Sequence, residues 1–531
     1  MRDFHQPGRS PAYSGQGMAA TSQPLATHTA LEVLRNGGNA MDAALAAVAV
    51  QCVVEPGSTG IGGDCFCLYA PGGSTSQLTA FNGSGTAPAA ASVAALNALG
   101  VTALDKHSAH SVTVPGAVDA WYQLHARHGS VPMAELLQPA MGYAKDGFAV
   151  GARTAFDFAG VESVLAAEPS TASIFLPTGR PPQPGDRLVQ PQLAASLEAI
   201  AEGGAEAFYR GDIADDIVSY LNEKGGVHTR ADFEAYTGQF VTPISATFRG
   251  RQVHQCPPNG QGVIALLLLN MISEIDTYDS PLSLERVHRE IEACRLAYTA
   301  RNTFLADPDQ SDVPVEEILS ADYAAALRAQ IDPERAREQG LDVGIGSHPN
   351  TVYLTVVDKE RNVCSLINTL FYGFGSGLTA PASGVVLQNL GFGFSMDATH
   401  PNALAPNKRP MHTIIPGMVS EGDRVVMSYG VMGGHYQAFG HMQFLTRMYD
   451  YGCNPQSAMD LPRFMVDPDT GEVEMESTVD EALRDGLTAR GHRLVTPSVP
   501  VGGSQAIAID WEQGTLCGGS DPRKDGCAIG Y

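Results

Sequence analysis

Apolar positions change their spacing part-way along this chain. From about Ser111 to Glu338 they recur every three or four residues, as in "QLAASLEAIAEGGAEAFY" and "LERVHREIEACRLAYTARNTFL", which predicts a mainly helical region. Before it, "QPLATHTALEVLRNGGNAMDAALAAVAVQCVVEP" carries two helical patterns parted at Gly37-Gly38, where glycine can take the left-handed conformation that ends a helix. "GSTGIGGDCFCLYAP" reads as a glycine-rich loop entering a short strand. "VTPISATFRGRQVHQCPPNGQGVIALLLLNMI" adds a strand pair, a Pro-Gly turn and a buried helix. After Thr351, alternating and β-branched stretches dominate: "TVYLTVVD", "VCSLINTL", "GVVLQN", "TIIPGMV" and "RVVMSYG". The helical pattern "HYQAFGHMQFLTRMYDYG" interrupts them, and a strand pair around "QAIAIDW" closes the chain. Neither half obviously closes a sheet of its own, so a shared core is expected rather than beads on a string.

Length and composition narrow the class. The chain has 531 residues, of which 44% are hydrophobic and 17% charged, a balance that suits a folded protein with a sizeable core. Its net charge of −24 opposes nucleic acid and anionic membrane as partners. The longest apolar runs, "AALAAVAVQCVVEP" and "VIALLLLNMI", are too short to span a bilayer, and no run of signal-peptide length follows the first charges. The nine cysteines are scattered and include no C-x-x-C, which favours reduced core thiols over a disulfide framework. A soluble, cytoplasmic protein is the expectation.

The strand at Thr351 follows a loosely patterned, glycine-punctuated stretch, "GLDVGIGSHPN". Period-2 alternation puts Val352, Leu354 and Val356 on one face and Thr351, Tyr353 and Thr355 on the other. With Lys359 to Asn362 as the turn, a hairpin of matched register sets Thr351 opposite Thr369 and Leu370, and opposed residues in such a pair have Cβ atoms about 4.5–5.5 Å apart. A threonine heading a strand is more often structural. The chemistry that would use one is nonetheless specific: a hydroxyl needs a base within hydrogen-bond reach. If the chain is cut between Asn350 and Thr351, the new α-amino group, with a reference pKa of about 7.7–8.0, supplies that base. A second hydroxyl at Thr369 would orient the first.

Two glycine-rich runs bear on the same chemistry. "GVMGGHYQAFGHMQ" places Gly433-Gly434 between a strand and a helix, where consecutive backbone N–H groups suit the oxyanion of acyl transfer, or simply make a tight turn. "FYGFGSGLTAPASG" reads as a flexible loop that wraps a ligand or turns the chain. Rival chemistries find less support. No G-x-G-x-x-G opens a helix, and neither a Walker motif nor G-x-S-x-G occurs. The "HSAH" pair, His107 and His110, lacks companions for a metal. No metal and no organic cofactor is implied.

Taken together, "TVYLTVVDKERN", "FGSG", "SGVVLQN", "KRP", "GVMGG" and "GGNAMDAALAAVAV…VVEPGSTGIGGD" resemble the γ-glutamyltransferase (glutathione hydrolase) family of N-terminal-nucleophile hydrolases, in the family's order from about Gly17 to Gly530. The resemblance implies an α+β fold, a four-layer αββα sandwich, and a precursor that cuts itself into a large subunit, residues 1–350, and a small one, residues 351–531, which stay associated. It places the nucleophile on Thr351, the cut between Asn350 and Thr351, the second threonine on Thr369 and the oxyanion glycines on Gly433 and Gly434.

Departures fall on the substrate grip. Where the family carries an Arg for the substrate α-carboxylate, this chain reads "FNGSGTAP", with Ser84 at or near that place. The Asn two residues after the second threonine is Phe371, the polar pair for the α-amino group becomes Leu390 and Gly393, and a serine pair becomes His412 and Thr413. An unpaired buried charge costs several kcal/mol, so a free γ-glutamyl head should bind poorly. Phe371, Leu390 and Tyr372 favour a less polar acyl chain or belong to the core, while Lys408, Arg409 and Arg523 are cations available to a carboxylate. The expected activity is a self-processing hydrolase or acyltransferase for γ-glutamyl or related acyl amides, with small-molecule amides as substrates. The alternative from another class is a non-catalytic family member that never matures and serves as a binding protein or scaffold.

Overall fold

A computed structural model describes residues 8–337, 350–468 and 470–531. The stretch 338–349, which includes most of the loose segment before Thr351, lies outside the described residues, as does the Asn350 side chain.

The two helical patterns of the N-terminal region form helices at Pro24–Arg35 and Ala40–Val54, parted at Gly37 with φ of 98°. Asn39 caps the second helix in a reciprocal box with Asp42. Every residue of that helix is buried, as its all-round apolar sequence requires. Two further apolar stretches are the helices Gly262–Ile272 and Leu284–Phe304, and the glycine pair precedes the helix Tyr436–Tyr449.

Among the described residues two seven-stranded antiparallel sheets stack face to face. One is ordered Cys527–Gly530, Met18–Thr21, Asn350–Val357, Val363–Phe371, Asp64–Ala70, Thr79–Gly83, Gln239–Val241. The other runs Ala12–Ser14, Thr515–Ser520, Gly503–Asp510, Arg424–Met432, Gly417–Glu421, Arg251–Gln255, Ile244–Phe248. Both sheets combine strands from either side of residue 350: the hairpin 350–371 is flanked by Met18–Thr21 and Asp64–Ala70.

Three apolar layers hold the stack. Leu354, Val356, Cys364 and Leu366 pack against the buried helix Ala40–Val54. Tyr353, Val357, Phe66 and Ile367 face Met418, Val425, Met432 and Ile507 of the second sheet. Val419, Met427, Tyr429 and Val431 pack outward on Gly262–Ile272, Leu284–Phe304 and Tyr436–Tyr449. The order helix, sheet, sheet, helix is therefore the four-layer αββα sandwich. With both faces covered, each central strand reads as nearly continuous apolar sequence, and each buried Val or Leu contributes about 1.5–3 kcal/mol.

Some strand expectations need correction. "GVVLQN" forms only isolated bridges, Val386 to Thr379 and Leu387 to Gly62, because the chain there turns back on itself. In "TIIPGMV" only Gly417–Glu421 is a strand, since Pro416 has no N–H to give a ladder. The loop "FYGFGSGLTAPASG", expected to be flexible, is mostly buried and pinned by Ser376 and Leu387 through their backbones at 2.9 Å. All nine cysteines are free, six of them buried. Among the described residues no helix is long and apolar enough to cross a membrane.

Between the two sheets, Gly430 leaves room for the Tyr353 ring. A Cβ at Gly430 would lie 2.4 Å from that ring. Gly430→Ala is expected to lower stability by about 1–3 kcal/mol, read as a shifted urea midpoint. An unchanged midpoint would show that the sheets part easily at this point.

Candidate active site

The hairpin Asn350–Val357 with Val363–Phe371 carries one irregularity. Asn350 pairs with Phe371 and Val352 with Asn368, so Thr351 alone faces the two residues Thr369 and Leu370. Such a bulge re-aims side chains at a strand end. Here it brings Thr351 Oγ1 to 3.1 Å from Thr369 Oγ1, both groups buried. The Phe371 N–H donates to Thr369 Oγ1 at 2.9 Å, and Phe371 holds φ of 79°, a left-handed conformation an aromatic residue rarely adopts.

The turn between Arg424–Met432 and Tyr436–Tyr449 lies across the same cavity. Gly433 has φ of 118° and Gly434 of 55°, and a Cβ on Gly433 would sit 2.9 Å from Gly502 Cα. Both positions therefore call for glycine. Neither glycine N–H has an acceptor among the described residues, whereas both carbonyls accept: Gly433 from the Tyr436 N–H at 3.0 Å and Gly434 from Gln261 Nε2 at 2.9 Å. Gln261 Oε1 accepts from Arg301 Nη1 at 3.2 Å, and Arg301 also donates to His435 Nδ1 at 2.9 Å. Burial, and then the Arg301 charge, hold His435 well below the usual histidine range, so it is neutral.

Thr351 and Gly433 line one cavity of about 290 Å³. Its apolar wall includes Phe156, Val164, Tyr372, Met432, Met465 and Val501, and its polar groups include Lys106, His107, Arg153, Asp157 and Lys524. Burial and then Lys106 push the His107 ring below its ordinary pKa.

The other predicted site residues lie off this cavity wall. Ser84 is fully buried, accepting from Asn259 Nδ2 at 3.0 Å, and Asn259 also accepts from Asn82 at 2.8 Å. His412 Nδ1 accepts the Ile414 N–H at 3.3 Å, which leaves Nε2–H to donate to Asp64 at 3.2 Å. Asp64 stands opposite Thr369 in the sheet and also accepts the N–H groups of Gly85 and Gly116 at 2.8 and 3.1 Å. Ser84 and His412 thus belong to the buried polar packing around Asp64 and Asn259. Phe371 and Leu390 pack with Tyr372 in a small apolar cluster, of which only Tyr372 reaches the cavity. The cations singled out in the sequence are engaged elsewhere: Arg409 by Asp309 at 3.0 Å, Lys408 by the Ser311 hydroxyl at 3.3 Å, and Arg523 by Glu476 at 2.6 Å. Among the described residues no group of three His, Cys, Asp or Glu side chains is arranged to hold a metal.

The sequence pattern described as gamma-glutamyltranspeptidase matches residues 26–531. The chain belongs to the γ-glutamyltranspeptidase family. It is 38% identical to the glutathione hydrolase-like YwrD proenzyme of Bacillus subtilis, over 97% of this chain and 98% of that one. To the oxamate amidohydrolase proenzyme of Klebsiella pneumoniae it is 33% identical, over 98% and 99% of the two chains. Its fold matches the cephalosporin acylase from Bacillus halodurans with a TM-score of 0.91 at 36% identity, covering 100% of this chain and 99% of that one. All three of these similar proteins bear enzyme names, two of them as proenzymes.

Sequence reasoning missed the cavity's own cations. Lys524 follows Arg523 in "DPRKDG", so a charged pair was visible, but nothing local tells which of the two turns inward.

Thr413 offers a check on this placement. Its carbonyl accepts from Gln261 at 2.8 Å, but among the described residues its buried hydroxyl has no hydrogen-bond partner. Thr413→Val is expected to keep or raise the urea midpoint, by up to about 1 kcal/mol, because an unsatisfied polar group is removed. A loss of stability would show that the hydroxyl is bonded.

Proposed function

We propose that this chain is a self-processing amide hydrolase whose nucleophile is Thr351. The observation that carries the reading is the pair of hydroxyls, Thr351 and Thr369, 3.1 Å apart at a strand end and beside a cavity that Gly433 also lines. In the precursor the Thr351 hydroxyl attacks the Asn350 carbonyl carbon. The peptide C–N bond breaks, its nitrogen takes the hydroxyl proton, and an ester remains. Water then hydrolyses the ester, releasing the Asn350 carboxylate and freeing the Thr351 hydroxyl and α-amino group.

In turnover the α-amino group takes the Thr351 hydroxyl proton while the oxygen bonds to the substrate acyl carbon. The Gly433 and Gly434 N–H groups meet the oxyanion. The proton passes to the leaving amine, and water hydrolyses the acyl-enzyme. Thr369 holds the nucleophile in line. The fragments 1–350 and 351–531 stay together because their strands interleave, as the ladders to Met18–Thr21 and Asp64–Ala70 support. The relatives' names as proenzymes support processing over a scaffold that never matures. Substrates are acyl amides other than free γ-glutamyl ones. Hydrolysis is favoured over transfer, because the family's polar anchors for an amino acid are replaced.

Denaturing mass spectrometry of the purified protein is expected to give two fragments meeting at Asn350–Thr351, and one uncut chain for Thr351→Ala. Thr369→Ala should slow both cutting and amide turnover by about 10²-fold, the cost of a misplaced nucleophile. A wild-type chain that remains whole after prolonged incubation would sink the reading.

A further inference from the structure

Three cationic side chains line the cavity beside Thr351, and their situations differ. Arg153 is held by the protein: its Nε donates to Asp157 at 2.9 Å and its Nη1 to the Arg523 carbonyl at 2.5 Å. That pairing also neutralises Asp157, the one carboxylate among the described residues of the cavity wall. Lys106 is half-buried, with its ammonium 5.0 Å from the centre of the Tyr372 ring.

Lys524 is only 5% exposed, and among the described residues its ammonium has neither a hydrogen bond nor an ion pair. Its backbone N–H donates to the Asp521 carbonyl at 3.1 Å, and its stem lies over Gly503, where a Cβ would meet Lys524 Cγ at 3.0 Å. The carboxylates whose fields reach it are Asp157, Glu55 and Asp521. Each already has partners: Arg153 for Asp157, Ser22 and Gln51 at 2.6 and 3.0 Å for Glu55, and Arg463 and Arg523 for Asp521. Burial accordingly pushes the Lys524 pKa below the usual lysine value. A buried ammonium that no protein group satisfies is compensated when a ligand brings an anion.

Resting on the hydrolase reading above, we propose that the amide substrate carries a carboxylate that binds Lys524, with Lys106 beside it, and carries no ammonium at that end. Among the described residues the cavity offers a cation without a partner and no carboxylate without one, so it fits a simple anion and not an amino-acid zwitterion. The same carboxylate could belong to the acyl group or to the leaving amine, and the two sources are separable by experiment.

In a first arm, mature wild-type protein is assayed with glutaryl, γ-glutamyl and pentanoyl p-nitroanilides. In a second, acetyl amides of 4-aminobenzoate and of aniline are compared by chromatography. In one arm the anionic substrate is expected to exceed its neutral partner in kcat/KM by about 10- to 100-fold, the worth of a charge-assisted hydrogen bond. The first arm assigns the carboxylate to the acyl group, with glutaryl also exceeding γ-glutamyl; the second assigns it to the leaving amine. Lys524→Met should reduce the anionic-to-neutral ratio at least tenfold, and the half-buried Lys106→Met should reduce it less.

Ratios near one in both arms, or a ratio that neither substitution moves, would overturn the proposal while leaving the hydrolase intact. Should no amide be turned over, calorimetry with glutarate separates the two readings. Binding that Lys524→Met abolishes would retain the anion site and sink the hydrolase, and absence of binding would sink both.

Discussion

One extra residue in the central hairpin governs the site. Because Val363–Phe371 is buried along its whole length and the neighbouring strand packs on helices with one face and on a second sheet with the other, its register cannot slip without turning every side chain over. The irregularity between Asn350 and Val352 is therefore held by the whole sandwich. It costs Phe371 a left-handed backbone and returns two hydroxyls at hydrogen-bond distance. The glycine turn depends on the same strand pairing, since Tyr353 and Thr355 reach across to Ser428 on the strand that leads into it.

Around that hairpin the polar groups divide into two sets. One is closed: Asp64 with His412 and two backbone N–H groups, Asn259 with Asn82 and Ser84, and Gln261 with Arg301 and the Gly434 carbonyl. These groups satisfy one another and stiffen the floor behind the threonines. The other set opens on the cavity, where Arg153 and Asp157 cancel and Lys524 does not. Lys106 stands on the same wall, so the surplus of cations there gives the cavity its positive sign, although the chain as a whole carries −24.

Much of this was legible in the order of residues. The helix break at Gly37, the all-buried helix Ala40–Val54, the hairpin turn and the strand–glycine–helix run at Gly433 each follow from local spacing, because they depend on neighbours within a few positions. That Thr351 lies opposite Thr369 follows from period and turn length, while the bulge that sets their hydroxyls in contact does not. "GVVLQN" misled because a β-branched run reads as a strand whether or not a partner strand lies beside it.

The sequence by itself determined most of the elements, the four-layer class through its family resemblance, and the opposition of the two threonines along the hairpin, since these rest on short-range periodicity and on motifs in order. Only the tertiary structure decided which polar residues face the cavity. Ser84 and His412 occupy positions where the resemblance implied a substrate grip, yet they close on Asn259 and Asp64, which lie far off in the chain. Arg523 and Lys524 are adjacent in sequence, and long-range partners consume the first while leaving the second. Side-chain pairing of this kind is set by groups tens to hundreds of residues apart, and no local pattern encodes it.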